Sequence, residues 1–264
     1  MLGWDLAKAL KGSGYELLEF DRQHLDITDR TRVFSTVLEH KPSVVINAAA
    51  YTNVDLAESE RDQALAINAM APGYLAEACS EIVATFVHFS TDQVFDGSGE
   101  TPWEEEDKPN PSNYYAYTKW LGEQTALKYS ASLILRVQWL YGEHKERFTA
   151  LKNKEVFTPF ADQWGAPTWT KHVAESVLRL LEKRASGLFH FAYDDWATWY
   201  DVFQFVCQKL GYRTQLVPKK IADVHLPASR PRFCVLSNRK LASTLGMSGM
   251  GRWKVALGEF LSKL

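Results

Sequence analysis

Cysteines and long apolar runs, which define several other classes of protein, are scarce in this sequence. Only three cysteines occur among 264 residues, Cys79, Cys207 and Cys234, with no CxxC pair and no histidine at ligand spacing. A disulfide framework and a zinc site are therefore not expected, and the thiols are predicted to be reduced, as in a cytoplasmic protein. No apolar run approaches the roughly 18 residues that a membrane helix needs. Asp5 and Lys8 also interrupt any signal-peptide core near the start.

Excess charge of one sign is also missing. The chain has 30 basic and 32 acidic residues, a net charge of −2, and no long block of like charge. This balance argues against nucleic acid or an anionic membrane as the main partner and favours a small molecule. A hydrophobic content of 46% is enough for a substantial core, so one large α/β domain or a core with a smaller lobe is expected.

The first segment reads as a helix, whereas most nucleotide-binding α/β chains begin with a buried strand. Leu2, Leu6 and Leu10 recur at helical spacing, and Gly12 follows them. Apolar runs and helical segments then alternate along the first half. Strands are predicted at 15–21, 42–51, 84–90 and 132–142, with helices at 57–79 and 115–128.

This alternation predicts a doubly wound parallel sheet, a Rossmann-like α/β fold, because successive strands are joined by right-handed helical crossovers. We predict a dinucleotide-binding domain over residues 1–142, to which part of 160–195 returns. Residues 143–264 are predicted to form mostly a smaller substrate-binding lobe. That lobe would contain a short strand at 187–191 and an aromatic-rich helix at 199–210.

Chemically distinctive residues follow the predicted strands, where doubly wound sheets bind their ligands. Tyr115 and Lys119 are four residues apart and share one face of a helix. A neighbouring ammonium and a cationic nicotinamide favour the phenolate form of a tyrosine and bring its pKa toward the working range. Thr91 supplies a hydroxyl at a strand end. Together the three groups are what carbonyl reduction by a nicotinamide cofactor requires.

The four-residue spacing alone is a weak signal. Tyr141 and Lys145 repeat it in a glycine-containing loop just after a strand, where a structural role is the better interpretation. Context therefore favours Tyr115 and Lys119 as the chemical pair.

Six motifs in order resemble the dTDP-4-dehydrorhamnose reductases, a family of extended short-chain dehydrogenases/reductases, and the resemblance covers nearly the whole chain. They are VVINAAAYTNVDLAE (44–58), STDQVFDG (90–97), YYAYTKWLGE (114–123), RVQWLYG (136–142), DQWGAPT (162–168) and SRP (229–231). The resemblance implies reduction of the C4 keto group of dTDP-4-dehydro-L-rhamnose by NADPH or NADH. It also implies a dTDP-sugar as partner, a cytoplasmic location, and either a monomer or a homodimer.

The resemblance assigns a role to each matching position. Tyr115 would give a proton to the C4 oxygen, Lys119 would hold the cofactor ribose and lower the tyrosine pKa, and Thr91 would bind the substrate. The remaining substrate residues would be Asp92, Trp139 and Arg230. Tyr115 would contact the cofactor as well, and the remaining cofactor residues would be Met1, Leu2, Asp21, Arg22, Asp26, Ile27, Ala50, Tyr51, Thr52 and Phe89. Asp21 suits a ribose 2′-hydroxyl and Arg22 a 2′-phosphate, so NAD and NADP both stay open.

In this family a strand and a GxxGxxG loop precede the first helix. MLGWDL resembles the end of that loop, with Gly3 as its third glycine. The resemblance therefore predicts that the first strand and the first glycines are missing. A chain of this form would expose an apolar sheet edge and bind dinucleotide poorly, because amides that cradle the pyrophosphate would be lost.

Departures from the family pattern cluster toward the sugar site and leave other functions open. They are Gln93, Ala116, Val137, Gln138 and Cys234. One alternative is another nucleotide-sugar reductase or epimerase of the extended family. Dehydration is disfavoured because Gln93 follows Asp92 where dehydratases carry an acidic pair. A second alternative is a non-catalytic cofactor-binding subunit like the beta subunit of methionine adenosyltransferase.

Some residues carry two interpretations. Trp164, Trp169, Trp196 and Trp199 would form either an aromatic wall for the ligand or part of the core, the commoner role of buried indoles. Arg230 would serve either as a diphosphate ligand or as a surface arginine before a proline. Magnesium bound by carboxylates occurs in some relatives, but no ligand set for it can be assigned in the sequence.

Overall fold

The computed structural model describes residues 1–144 and 148–264. Its strands are β1 (Val44–Asn47), β2 (Thr85–Thr91), β3 (Ser132–Val137), β4 (Leu140–Tyr141), β5 (Val156–Phe157), β6 (Trp164–Gly165), β7 (Thr168–Trp169), β8 (Gly187–His190), β9 (Ala197–Thr198) and β10 (Gln215–Leu216). Its α-helices are α1 (Leu2–Gly12), α2 (Arg30–His40), α3 (Arg61–Leu65), α4 (Ala71–Ile82), α5 (Tyr114–Ala126), α6 (Thr170–Glu182), α7 (Trp199–Leu210), α8 (Arg239–Leu245) and α9 (Trp253–Leu261).

The central sheet has four parallel strands in the order β1-β2-β3-β8. All four carboxyl ends therefore meet at one edge, which confirms the predicted α/β class. The shorter strands pair outside this sheet, β4 with β7, β6 with β9 and β5 with β10.

Both faces of the sheet are covered by helices. On one face Val87, Leu133 and Leu135 pack in a cluster that includes side chains of α1 and α6. On the other face Phe86 and Ile134 pack with side chains of α2 and α4. Consecutive strand residues thus point to opposite faces, both of them apolar, as a doubly wound sheet requires.

The strand predicted at 15–21 does not form, so that prediction was wrong. The segment has no strand assignment, and every residue in it except Leu17 is exposed. A β-strand forms when a neighbouring strand pairs with its backbone N–H and C=O groups. Among the described residues no strand pairs with this apolar run. β1 is an edge strand and is only half-buried at Val44–Ile46, so it is less enclosed than its apolar sequence indicates.

The helix predicted at 57–79 is divided. A 3₁₀ turn (Leu56–Glu58) leads to α3, and a π-helical turn (Ala66–Met70) joins α3 to α4. Gly122 of α5 lies against this turn so closely that a Cβ there would collide with the Asn68 carbonyl. Local widening of the helix and the missing side chain together let α5 approach the turn.

The second half of the chain contains the predicted short strand, as β8, and the predicted helix, as α7. Thr198 and Asp201 form a capping box at the start of α7, and Gly211 ends the helix in the left-handed region at φ 68°. One apolar cluster runs from Leu2 to Leu261 and includes residues of both halves. The division at residue 142 stays a prediction.

All three cysteines are free and buried. Among the described helices none combines the length and the hydrophobicity of a membrane span.

Candidate active site

The three groups predicted to carry chemistry come from β2 and α5. Thr91 is the last residue of β2, and Tyr115 and Lys119 lie in the first two turns of α5. Asn113 caps the helix by accepting from the Ala116 N–H at 2.8 Å. Its amide nitrogen also donates to Gln93 Oε1 at 3.1 Å and to the Ser229 carbonyl at 3.0 Å. The cap thereby fixes the start of α5 against the turn that follows β2.

Lys119 is buried beneath the sheet's carboxyl edge. Only 2% of it is exposed, and its Nζ donates to the Phe89 carbonyl at 2.5 Å. Burial lowers the pKa of Lys119 to about 8, against the attraction of the Glu123 carboxylate. Phe89, predicted to lie beside the nicotinamide, therefore also orients the lysine through its backbone.

Tyr115 is 9% exposed and carries its proton in the ligand-free protein. Burial raises the pKa of Tyr115 to about 12, the Thr91 hydroxyl opposes this by a hydrogen bond, and the Asp92 charge adds to it. The lower pKa expected from the sequence thus requires the positive charge of an oxidised nicotinamide. A protonated phenol beside a hydroxyl is suited to donate a proton to a ketone oxygen.

Asp92 joins the same buried group. Thr91 Oγ1 donates to Asp92 Oδ1 at 3.0 Å, and Asp92 is 3% exposed. Burial raises the pKa of Asp92 to about 7, although Thr91 and backbone N–H groups stabilise the carboxylate. The Thr91 hydroxyl therefore lies between the Tyr115 phenol and the Asp92 carboxyl group, and this carboxyl group titrates near neutrality.

The loop after β1 is the predicted ribose and pyrophosphate region. Ala50 and Thr52 are exposed there, and Tyr51 is half-buried. The Tyr51 N–H donates to Asn68 Oδ1 at 2.9 Å, and Asn68 Nδ2 donates back to the Tyr51 carbonyl at 3.0 Å. Asn68 lies on the π-helical turn and is wholly buried. Our sequence reasoning missed it, and an asparagine within an otherwise apolar helical stretch was the available signal.

The adenosine end of the predicted cofactor site is more open. Asp21 and Arg22 lie exposed in the loop that replaces the expected strand end, and Asp21 accepts from the backbone N–H groups of Gln23 and His24. Asp26 Oδ1 accepts from the Thr28 hydroxyl at 2.7 Å, and Ile27 packs against the α2–α4 cluster.

The amino end of α1 lacks a side-chain cap, and among its first backbone N–H groups that of Trp4 donates to the Met1 carbonyl at 3.1 Å. Met1 is its N-cap and makes no side-chain cap bond, while the side chain of Leu2 is buried in the core. Backbone N–H groups at the start of a helix point toward its amino end, where they are suited to bind a phosphate. With the buried Lys119 and the carboxylates of Asp21 and Asp26, the residues present fit a dinucleotide.

Trp139 follows β3 in a strained backbone conformation. Its φ is 43°, unusual for a bulky residue, and its ring stacks on Trp199 with centroids 4.0 Å apart at 16°. Gly165 lies directly against the Trp139 ring. The strained backbone of Trp139 thus accompanies the placement of its indole beside the start of α7.

We expect Gly165→Ala to disrupt the Trp139–Trp199 stack. A Cβ at this position would lie 2.7 and 2.8 Å from two ring atoms of Trp139, which is too close for carbon atoms. Overpacking of this kind destabilises by about 1–3 kcal/mol. Near-ultraviolet circular dichroism should lose the tryptophan pair's signal, and denaturant unfolding should measure the stability change.

Gly258→Ala is the matched control because its Cβ would make an ordinary 3.6 Å contact with Phe205. An unaltered tryptophan signal in Gly165→Ala would contradict the proposed packing.

Arg230 is tied to the loop after β1. Its Nη2 is 2.8 Å from Asp55 Oδ2, and its Nη1 donates to the Ala228 carbonyl at 2.9 Å. The ion pair holds the SRP loop against the loop after β1, and the guanidinium has further N–H groups that could donate to a ligand.

The four tryptophans considered for an aromatic wall do not line one common surface. Trp169 is fully buried in the main core, Trp164 is half-buried in β6, Trp196 is 41% exposed, and Trp199 stacks on Trp139. Tyr141 is a core residue that packs on Phe148 and Phe260, whereas Lys145 lies outside the described residues. Within residues 1–144 and 148–264 no cluster of three histidine, cysteine or acidic side chains could hold a metal ion.

The whole chain, residues 1–264, matches the family model described as the RmlD substrate binding domain. The spore coat polysaccharide biosynthesis protein SpsK of Bacillus subtilis is 33% identical, covering 99% of this chain and 94% of that protein. The dTDP-4-keto-6-deoxy-D-glucose reductase of Streptomyces niveus is 36% identical over 98% and 92%. The dTDP-4-dehydrorhamnose reductase of Streptomyces griseus is 35% identical over 98% and 89%.

Solved structures agree. The dTDP-4-dehydrorhamnose reductase of Clostridium acetobutylicum superposes with a TM-score of 0.95 at 34% identity, covering 99% of this chain and 95% of that one. The Bacillus anthracis enzyme, in complex with NADP, gives 0.95 at 29% identity over 100% and 95%. From sequence and structure together, this chain belongs to the RmlD substrate binding domain family.

Proposed function

We propose that this protein is an NAD(P)H-dependent reductase of the C4 keto group of dTDP-4-dehydro-L-rhamnose, acting in dTDP-rhamnose biosynthesis. The observation that carries the proposal is the buried group of Thr91, Tyr115 and Lys119 at the carboxyl edge of the sheet. Relatives named as reductases of dTDP-4-keto sugars, at 35–36% identity over nearly the full chain, support the substrate class.

Each residue of the group has a distinct task in the proposed reaction. When bound, the nicotinamide supplies the hydride. Tyr115 gives its proton to the ketone oxygen. The Thr91 hydroxyl turns from Asp92 to donate its hydrogen bond to that oxygen and holds it in line with the phenol. Lys119, oriented by the Phe89 carbonyl, binds the ribose hydroxyls and stabilises the phenolate that remains.

NADP is the favoured cofactor, since the Bacillus anthracis relative is in complex with NADP. Arg22 would meet its 2′-phosphate. Asp21, Asp26 and Ile27 would border the adenosine, and the α1 amino end at Met1 and Leu2 would contact the pyrophosphate. The loop Ala50–Thr52 would lie along the ribose next to Lys119, and Phe89 would lie beside the nicotinamide.

The sugar nucleotide would lie on the opposite side of the crevice. We assign Asp92 and Trp139 to the sugar, and Arg230 to the diphosphate. The Asp55 carboxylate preorients the guanidinium by an ion pair at 2.8 Å, which reduces the entropy lost when phosphate binds. Residues 143–264 would form most of this lobe. A cytoplasmic location and a monomeric or homodimeric state complete the proposal.

A different dTDP-4-keto sugar is the second candidate substrate. The name of the Streptomyces niveus relative, a reductase of dTDP-4-keto-6-deoxy-D-glucose, favours it. Val137 and Gln138 next to Trp139 depart from the family pattern on the sugar side.

Single-turnover oxidation of NADPH against a panel of dTDP-keto-sugars tests the proposal. We expect the 4-dehydrorhamnose to react fastest, and the second candidate is favoured if dTDP-4-keto-6-deoxyglucose reacts faster. A non-catalytic subunit would bind NADPH, as followed by nicotinamide fluorescence, without oxidising it with any sugar.

A further inference from the structure

A buried histidine lies behind the lysine of the active site. His88 is on β2, none of its side chain is exposed, and its Nε2 is 3.3 Å from Lys119 Nζ. Its other ring nitrogen, Nδ1, is 3.3 Å from Asn47 Nδ2. Asn47, His88 and Lys119 therefore form a continuous polar chain through the interior of the sheet. Such a chain is stable only if donors and acceptors match along it.

The orientation of Asn47 determines which ring nitrogen of His88 carries the proton. The Ala49 N–H, which can only donate, is 3.0 Å from Asn47 Oδ1. The Asn47 NH₂ group therefore faces His88 and donates to Nδ1. Burial and the nearby Lys119 hold the pKa of His88 well below its ordinary value, so the imidazole is neutral. A neutral ring that accepts at Nδ1 has its proton on Nε2.

The Nε2–H of His88 points at another donor. Lys119 Nζ already donates to the Phe89 carbonyl at 2.5 Å. An uncharged amine has a lone pair that can accept from His88, whereas an ammonium group has no acceptor. The hydrogen-bond pattern from Asn47 through His88 thus favours the uncharged form of Lys119.

We propose that His88 is a positioning residue that opposes the ammonium form of Lys119 and thereby sets the alkaline limit of the reaction. This inference rests on the proposed function, in which the charged lysine binds ribose and stabilises the phenolate. His88 itself contacts Lys119 and Asn47 and acts only through the lysine. Burial already lowers the pKa of Lys119 to about 8, so its charge is present below that pH and is lost as the pH rises through it.

The other charged groups around Lys119 are engaged with partners of their own. Glu123, on the next turn of α5, attracts the ammonium but forms a two-point ion pair with Arg136 of β3. Tyr115 is neutral because burial raises its pKa to about 12. Two acidic residues lie on 3₁₀ turns packed against α5, and neither pairs with Lys119. Glu58 accepts a hydrogen bond from the Tyr114 N–H, and Asp92 accepts one from the Thr91 hydroxyl.

Replacing His88 by glutamine tests the proposal. In His88→Gln an amide oxygen can take the place of Nε2–H and accept from the ammonium. We expect the pKa of Lys119 to rise by about 1 unit, the size of one hydrogen bond to a charged group. The titration is followed by the carbon-13 shift of the lysine Cε, assigned by its loss in Lys119→Met. The alkaline limb of the kcat/KM profile should move upward by the same amount.

His172→Gln is the matched control, since His172 lies on α6 and bonds to Tyr193 at 2.9 Å. It should leave both titrations unchanged. Nitrogen-15 shifts of the unaltered protein give a second readout that needs no variant to fold, and they should show the proton of His88 on Nε2.

A proton on Nδ1, or an unmoved Lys119 titration in His88→Gln, would overturn the inference. The nitrogen-15 shifts of His88 and the carbon-13 titration of Lys119 can both be measured without turnover. A protein that reduces no sugar would therefore refute the proposed function separately.

Discussion

Tyr115→Phe is expected to lower the single-turnover rate of NADPH oxidation by a keto-sugar by roughly 10²-fold or more, the usual contribution of a positioned general acid. The phenol is the buried proton carrier that the Thr91 hydroxyl touches, and phenylalanine keeps the ring while it removes the proton. The affinity for NADPH should change little, because Lys119 and the loop after β1 are untouched. Stopped-flow absorbance of the nicotinamide measures the rate.

Tyr117→Phe is the matched control on the same helix. Tyr117 is 40% exposed and lies on the other side of α5, so its hydroxyl should be dispensable. An unchanged rate in Tyr115→Phe would remove the proposed proton donor.

Arg136→Met is expected to destabilise the fold by about 3–5 kcal/mol, the effect of leaving one charge of a buried pair without its partner. Arg136 Nε and Nη2 donate to the two Glu123 oxygens at 2.8 and 2.7 Å, and the two side chains are 2% and 0% exposed. The pair joins β3 to α5 directly behind the active site. Denaturant unfolding followed by circular dichroism gives the free energy of unfolding.

Two comparisons sharpen this prediction. The double variant Arg136→Met with Glu123→Leu removes both charges and should recover much of the lost stability. Arg30→Met breaks an ion pair of similar length, 2.7 Å to Glu77, with both side chains about half exposed, and it should have little effect. Equal effects of Arg136→Met and Arg30→Met would show that burial does not strengthen the Arg136 pair.

Elements specified by local sequence were predictable. Helix α7 has its capping box, its apolar face and a terminal glycine within one stretch of chain, and it formed at the predicted residues. Strands β2 and β3 are apolar on both faces, which only a sheet covered on both sides tolerates. Helical spacing predicted that Tyr115 and Lys119 share one face of α5, whereas the choice of this pair over Tyr141 and Lys145 needed the context of the preceding strand.

Features that depend on a partner distant in sequence were not predictable from local pattern. The apolar run at 15–21 resembles a strand, but no neighbour pairs with it in the part of the chain that the structure describes. Asn68 gains its role only when the loop after β1 comes to lie against the π-helical turn. The contact of His88 with Lys119 likewise requires β2 and α5 to be packed together. The left-handed backbone of Trp139 and the stacking of its ring on Trp199 likewise had no signal in the neighbouring sequence.

The most direct measurement follows the hydride itself. The protein is mixed with dTDP-4-dehydro-L-rhamnose and NADPH deuterated at the transferable position, and the sugar product is examined by mass spectrometry and NMR. We expect one deuterium at C4 of the sugar for each NADPH oxidised, with the hydroxyl proton drawn from solvent through Tyr115. Unconsumed NADPH, or a sugar product without deuterium at C4, would contradict it.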